Sequence, residues 1–205
     1  MVGAGKSEEV IQRILQINEK CICVRGNREK YIIEGMPTVV HDGKLKVSQE
    51  QLERYKWIKS HLSNSSIKFI QSMPNENIIE IFGKKIYMAH YPMDSKMIFK
   101  KHIKIANLQE NEEMFKDVQA DIYLYGHTHS EIYNRGHKKC YINPGALGCP
   151  GKTDEAPYGI LEINKNKVIY RQLKANYNVQ KVIEDIKELS FPGYKSILKT
   201  FFGTN

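Results

Sequence analysis

Apolar residues recur at helical spacing early in the chain. Val10, Ile11, Ile14 and Leu15 share one face of residues 7–18, Ser7 stands where an N-cap belongs, and Glu8 and Glu9 fall in the first turn. Residues 48–62 repeat the pattern, opened by Ser48 and Gln51 at capping-box spacing. Between these helices, CICVR at 21–25 is a short apolar run ended by Gly26, which predicts a buried strand with Cys21 and Cys23 on one face.

The second half of the chain changes period. Residues 78–82 and 85–89 alternate around Gly83 and Lys84, and residues 158–163 and 168–173 alternate around Asn164 to Asn166; both predict hairpins. DIYLY at 121–125 stops at Gly126, and a short strand over 139–142 runs into the turn Asn143-Pro144-Gly145. Residues 110–118 and 179–189 read as helices, the latter broken by Pro192-Gly193 with a short helix after it. Helix–strand units first and hairpins later predict an α/β chain with a partly antiparallel sheet.

Composition adds limits rather than identity. A chain of 205 residues with 41% hydrophobic and 26% charged residues is an ordinary globular sequence, long enough to fold without disulfide or metal. No run reaches the ~18 apolar residues of a membrane helix, and the first ten residues lack the regions of a signal peptide. Cys21, Cys23, Cys140 and Cys149 have no zinc-site spacing and read as buried free thiols of a reducing cytoplasm. Thirty-one Lys and Arg against 23 Asp and Glu give a net charge of +8, which favours anionic ligands. The lysines are scattered and no recognition motif is present, so nucleic-acid binding ranks below small phosphate-bearing ligands. Gly3-Ala4-Gly5-Lys6-Ser7 ends like a phosphate-binding loop but lacks its first glycine and preceding strand.

The chemistry gathers at predicted strand ends. Asn27 follows CICVRG, His90 follows IYMA, and His127 and His129 follow DIYLYG, where Gly126 permits close backbone approach. Imidazoles and an amide oxygen at such positions suit a divalent transition metal. His41, His61, His102 and His137 lack that placement and read as ordinary surface or core residues.

VRGN (24–27), MAHYP (88–92), YGHTH (125–129) and INPGALG (142–148) stand in an order and spacing that resembles the calcineurin-like metallophosphoesterases, most nearly their YfcE-type phosphodiesterase branch. The resemblance spans residues 2–173 and implies a four-layer α-β-β-α sandwich, with residues 1–175 as the metallophosphoesterase domain and 176–205 as a helical extension. It also implies two divalent ions, Mn, Fe, Zn or Ni with Mn favoured. Asn27, His90 and His127 match the ligands of one ion, His129 matches a ligand of the other, and residues 143–145 match a loop closing on the site. The implied reaction is hydrolysis of a phosphodiester or phosphomonoester, nucleotides included, by water activated between two metals.

Two departures bear on that expectation. Arg28 stands where many members carry a histidine; it can offer a fixed charge and a fork of donors to phosphate oxygens but not a proton near neutral pH. A solvated surface arginine is the competing reading. The family's opening strand with Asp-x-His and its second strand with Gly-Asp have no counterpart, because MVGAGKSEEVIQRIL resembles the segment after Gly-Asp. An N-terminally incomplete domain is therefore expected, its start placed at an internal Met, with residues 21–25 short of neighbours. The alternative expectation is a degenerate, inactive member holding at most one weakly bound metal.

Overall fold

The computed structural model describes residues 1–3, 5–17, 20–37, 39–40, 45–95, 97–149 and 153–204. The chain divides into two compact units: one formed by residues 1–74, 151–154 and 177–205, the other by residues 75–150 and 155–176.

The first unit is helical. Helix α1 (Ser7–Gln16) begins one residue earlier than the capping pattern predicts: Lys6 is the N-cap, and the Ser7 hydroxyl instead accepts the Gly3 N–H at 3.2 Å. Helix α2 (Asn27–Glu34) starts after Gly26, whose N–H is accepted by the buried Glu29 carboxylate at 3.1 Å. Residues 39–40 and 45–46 form the short strands β1 and β2. Helix α3 (Gln49–Ser60) has the predicted capping box: Ser48 Oγ accepts the Gln51 N–H and Gln51 returns its side-chain oxygen to the Ser48 N–H at 2.9 Å. Helix α4 (Asn64–Ser72) is capped by Ser63.

Apolar faces of these helices close on Ile11, Ile32, Ile58, Phe69, Ile70 and Met73. Helix α6 (Val179–Leu189) has the predicted bounds. With α7 (Tyr194–Ile197) and a π-helical turn, Leu198–Phe202, it packs Ile186, Phe191 and Leu198 against Trp57. Arg54 Nε donates to the Pro192 carbonyl at 3.0 Å, and Lys6 pairs with Asp185 at 3.6 Å, so the last residues of the chain are tied to the first.

The expected strand over residues 21–25 does not form. The segment is irregular; Ile22 is 52% exposed, Cys21 and Cys23 are half-buried, and the Arg25 N–H goes to the Pro74 carbonyl at 2.7 Å. A run of five apolar and basic residues becomes a strand only where a neighbour supplies a ladder, and the described residues of this unit hold none beside it.

The second unit is built on a five-stranded sheet in the order β3-β4-β5-β7-β6. Strands β3 (Glu76–Ile81) and β4 (Lys84–Ala89) form the predicted hairpin, with its turn at Phe82 and Gly83, one residue before the expected pair. Both turn residues have positive φ, 50° and 74°, as a tight hairpin of matching twist requires. Helix α5 (Leu108–Met114) is capped by Asn107. Strand β5 (Ile122–Leu124) pairs in parallel with β4 and with β7 (Cys140–Pro144), and β6 (Glu131–Arg135) adds antiparallel to β7.

Alternation sorts the two faces. Tyr87, Tyr123 and Tyr141 meet Phe115 and Met114 on one side; Ile86, Ile122, Cys140 and Ile142 face the other. There, Leu161, Ile163, Val168 and Tyr170 of the hairpin β8 (Glu155–Ile163) and β9 (Val168–Asn176) cover them. The partly antiparallel α/β arrangement expected from the pattern is what the chain adopts.

Candidate metal centre

Parallel pairing aligns Ile86 with Ile122 and Met88 with Leu124, so β4 and β5 end side by side. The ladder continues past them: the Gly126 N–H donates to the His90 carbonyl at 2.8 Å and the Tyr125 N–H to the Ile142 carbonyl at 2.9 Å. His90 and His127 emerge there as neighbours. His90 Nε2 faces His127 Nδ1 at 3.2 Å, with ring centroids 5.1 Å apart and planes at 83°.

Two bare nitrogen lone pairs would repel at that distance, so one proton or one cation lies between them. Tetrahedral ligation with metal–nitrogen bonds of about 2.0–2.1 Å puts two imidazole nitrogens about 3.3 Å apart. The pair therefore fits one divalent ion, whose binding displaces the shared proton. Among the described residues, no group of three or more His, Cys, Asp or Glu converges as a metal cage.

The turn that carries the histidines is strained. His127 and His129 both have left-handed backbone, φ 70° and 60°, each at a cost of about 1–2 kcal/mol for a non-glycine residue. The Thr128 N–H closes back on the Gly126 carbonyl at 2.8 Å. Asn143, fully buried, holds the turn from β7: its amide donates to Gly126 O at 3.1 Å and to Thr128 Oγ1 at 3.0 Å, and its oxygen accepts the Gly145 N–H at 3.1 Å. Gly145 has φ 92° and no room for a Cβ, which would meet Pro157 at 2.8 Å. At Gly126, by contrast, a Cβ would stand 3.7 Å from the His90 carbonyl oxygen, an ordinary contact, so close approach is not what selects glycine there.

Aromatic rings enclose His127. Phe99 stacks at 5.6 Å and 16°, Tyr91 lies at 5.0 Å, and His102 approaches at 5.9 Å with planes at 75°. His102, expected as an ordinary surface or core residue, is exposed and stands beside His127. Its proximity depends on a loop that sequence spacing does not reveal. His61 keeps its ordinary role, bonded to the Trp57 carbonyl at 2.8 Å and stacked on that indole; His41 lies outside the described residues.

Asn27 and Arg28 belong to the helical unit. Asn27 is the first residue of α2 and hydrogen-bonds Tyr31 one turn on. Arg28 is half-buried, its guanidinium so close over Gly3 that a Cβ there would overlap it. Burial raises the Tyr55 phenol's pKa, and the Arg28 charge counteracts part of that rise. A cavity of about 370 Å³ opens in the sheet unit, lined by Glu76, Tyr87, Met93, Met97, Lys100 and Met114; the imidazoles are not among its walls.

The chain is 26% identical to an uncharacterized protein of Methanocaldococcus jannaschii, over 94% of this chain and 79% of that one. A hypothetical protein from Pyrococcus horikoshii superposes with a TM-score of 0.79 at 15% identity, covering 100% of this chain and 83% of that one. A metallophosphoesterase from Sphaerobacter thermophilus gives 0.70 at 19%, with 98% and 83% covered. These structural likenesses establish the fold. The profile of the calcineurin-like phosphoesterase superfamily domain matches residues 1–166. The chain belongs to that superfamily, whose members typically use divalent metals, and its mixed α/β fold is the metallophosphoesterase fold.

Proposed function

We propose that the chain is a metal-dependent phosphoesterase of the YfcE-type branch, hydrolysing a phosphodiester or phosphomonoester. The observation that carries this reading is the His90 Nε2 to His127 Nδ1 contact of 3.2 Å at the ends of neighbouring parallel strands. Asn27, His90 and His127 would hold one ion and His129 a second, with Mn favoured. When bound, the ions supply Lewis acidity and an activated water for in-line attack on phosphorus.

The chain's own groups do the rest. Arg28 carries a permanent charge that offsets charge growing on the phosphate oxygens, a task that needs no proton transfer. Asn143 fixes the turn that aims His127 and His129, and the buried Tyr91 and half-buried Phe99 shield the His127 ring. The net charge of +8 draws anionic substrates toward the protein.

The test is hydrolysis of bis(p-nitrophenyl) phosphate by the full chain with Mn²⁺. Activity that vanishes with chelator and with His127→Ala supports the reading; activity surviving both overturns it. A second reading, an inactive member with one weak site, is favoured by the lack of a converging carboxylate among the described residues. It requires Mn²⁺ to bind with at most one equivalent and no turnover.

A further inference from the structure

We propose that His102 is a substrate-binding residue that donates an N–H to a phosphate oxygen of the ester held at the His90–His127 pair; this rests on the phosphoesterase reading above. The argument begins with Tyr91, the residue after His90. Its ring is 1% exposed and lies 5.0 Å from the His127 ring, and its hydroxyl reaches the other way. That hydroxyl accepts the Ile103 N–H at 2.9 Å and turns its proton toward the Lys101 carbonyl at 3.5 Å. The peptide groups on both sides of His102 are therefore held by one buried phenol.

The rest of the loop is equally fixed. Lys100 Nζ donates to the Met114 carbonyl at 3.2 Å, Asn134 Nδ2 donates to the Ala106 carbonyl at 2.7 Å, and Asn107 caps α5. A loop anchored at so many points fixes the backbone at His102, whose exposed imidazole stands edge-on to His127 at 5.9 Å.

Two placements are open to a third imidazole there. As a metal ligand it would have to converge with His90 and His127, and among the described residues no such trio forms. A phosphate held at the His90–His127 pair would extend its oxygens toward a group placed beside that pair. Either neutral tautomer of His102 offers one N–H to them. Lys101 and Lys104, both exposed, flank it and make the loop locally basic. This supplies a directed donor on the sheet unit, independent of Arg28.

The experiment uses the full chain with Mn²⁺ and compares wild type, His102→Ala and His102→Gln, which keeps an N–H. Three quantities are read: Mn²⁺ affinity and inorganic phosphate affinity by calorimetry, and kinetics on bis(p-nitrophenyl) phosphate. His102→Ala is expected to weaken phosphate binding and raise KM about tenfold, the size of one hydrogen bond to a charged group, with kcat changed far less. His102→Gln should recover most of the loss, and Mn²⁺ affinity should stay within about twofold of wild type.

Unchanged KM and phosphate affinity in His102→Ala overturn the assignment. So does a fall in Mn²⁺ affinity, which would make His102 a ligand, or a wild-type chain that takes up Mn²⁺ but no phosphate. If wild type binds phosphate without hydrolysing the ester, the phosphoesterase reading fails alone, and the phosphate affinity of His102→Ala still decides the role of His102.

Discussion

Asn143 holds Thr128 by a 3.0 Å hydrogen bond, and through it fixes the one residue that separates His127 from His129. Both flanking histidines have φ near 60–70°, a conformation that relaxes unless neighbours enforce it. Asn143→Ala removes two donors and one acceptor at a fully buried position and leaves Gly126 O and the Gly145 N–H without that partner. A loss of about 2–4 kcal/mol is expected in urea unfolding. Weaker Mn²⁺ binding by calorimetry should accompany it, since the two histidines lose their shared brace.

Tyr91→Phe separates the two jobs of that side chain. The ring stays beside His127, while the hydroxyl that receives the Ile103 N–H is gone. Stability should fall by about 1–2 kcal/mol, with Mn²⁺ affinity retained and KM for the aryl diester raised. A variant with unaltered KM would show that the loop keeps its place without the phenol.

Glu29 makes the helical unit acid-sensitive. Burial would push its carboxyl up, but the Met1 ammonium at 3.1 Å and the Val2 N–H at 2.9 Å outweigh that and hold it below the ordinary carboxylate range. A lowered native pKa stabilises the fold in full above the unfolded value of about 4.3 and ceases to do so as pH falls through the native one. Glu29→Gln should cost about 1–3 kcal/mol at pH 7. The gap from wild type should narrow below pH 4, read by denaturant midpoints across pH.

Cys140 should be the slowest thiol. Burial, opposed in part by Arg135, pushes its pKa up to about 11. Cys21, Cys23 and Cys149 are half-buried. With iodoacetamide at pH 8, Cys140 should react at least about a hundredfold more slowly than in urea, because the thiolate is the reactive form. Mass spectrometry of timed digests reads this directly.

The elements legible from the pattern are those whose own residues decide them. Ser48 and Gln51 cap α3, α6 runs over the expected residues, and two hairpins alternate as written. What escaped needed a partner. Strand β6 has a single buried apolar residue, Ile132, and exists because β7 offers an edge. Residues 21–25 have the apolar run of a strand and no ladder to join. The turn at Phe82 places a side chain in left-handed backbone, against the local preference that pointed one residue on. At the site, strand-end spacing marked His90 and His127, whose contact the fold supplies. His102 stands twelve residues beyond His90 with no motif around it, and contacts such as that of the Tyr91 hydroxyl with the Ile103 N–H bring it beside them.

The helical unit is written in pieces: residues 1–74 wait for 177–205. Trp57 packs against Phe191, and Arg54 reaches the Pro192 carbonyl, partners that a ribosome delivers more than 130 residues later. At about 5–20 residues per second, that interval is on the order of ten seconds. During it the sheet unit, complete by residue 176, can close its own core. The first helices meanwhile expose apolar faces to whatever the nascent chain meets. A protein assembled in this order depends on residues 177–205 to retire a hazard created by residues 1–74, so the emerging chain should engage chaperones through residues 1–74 until residues 177–205 have emerged.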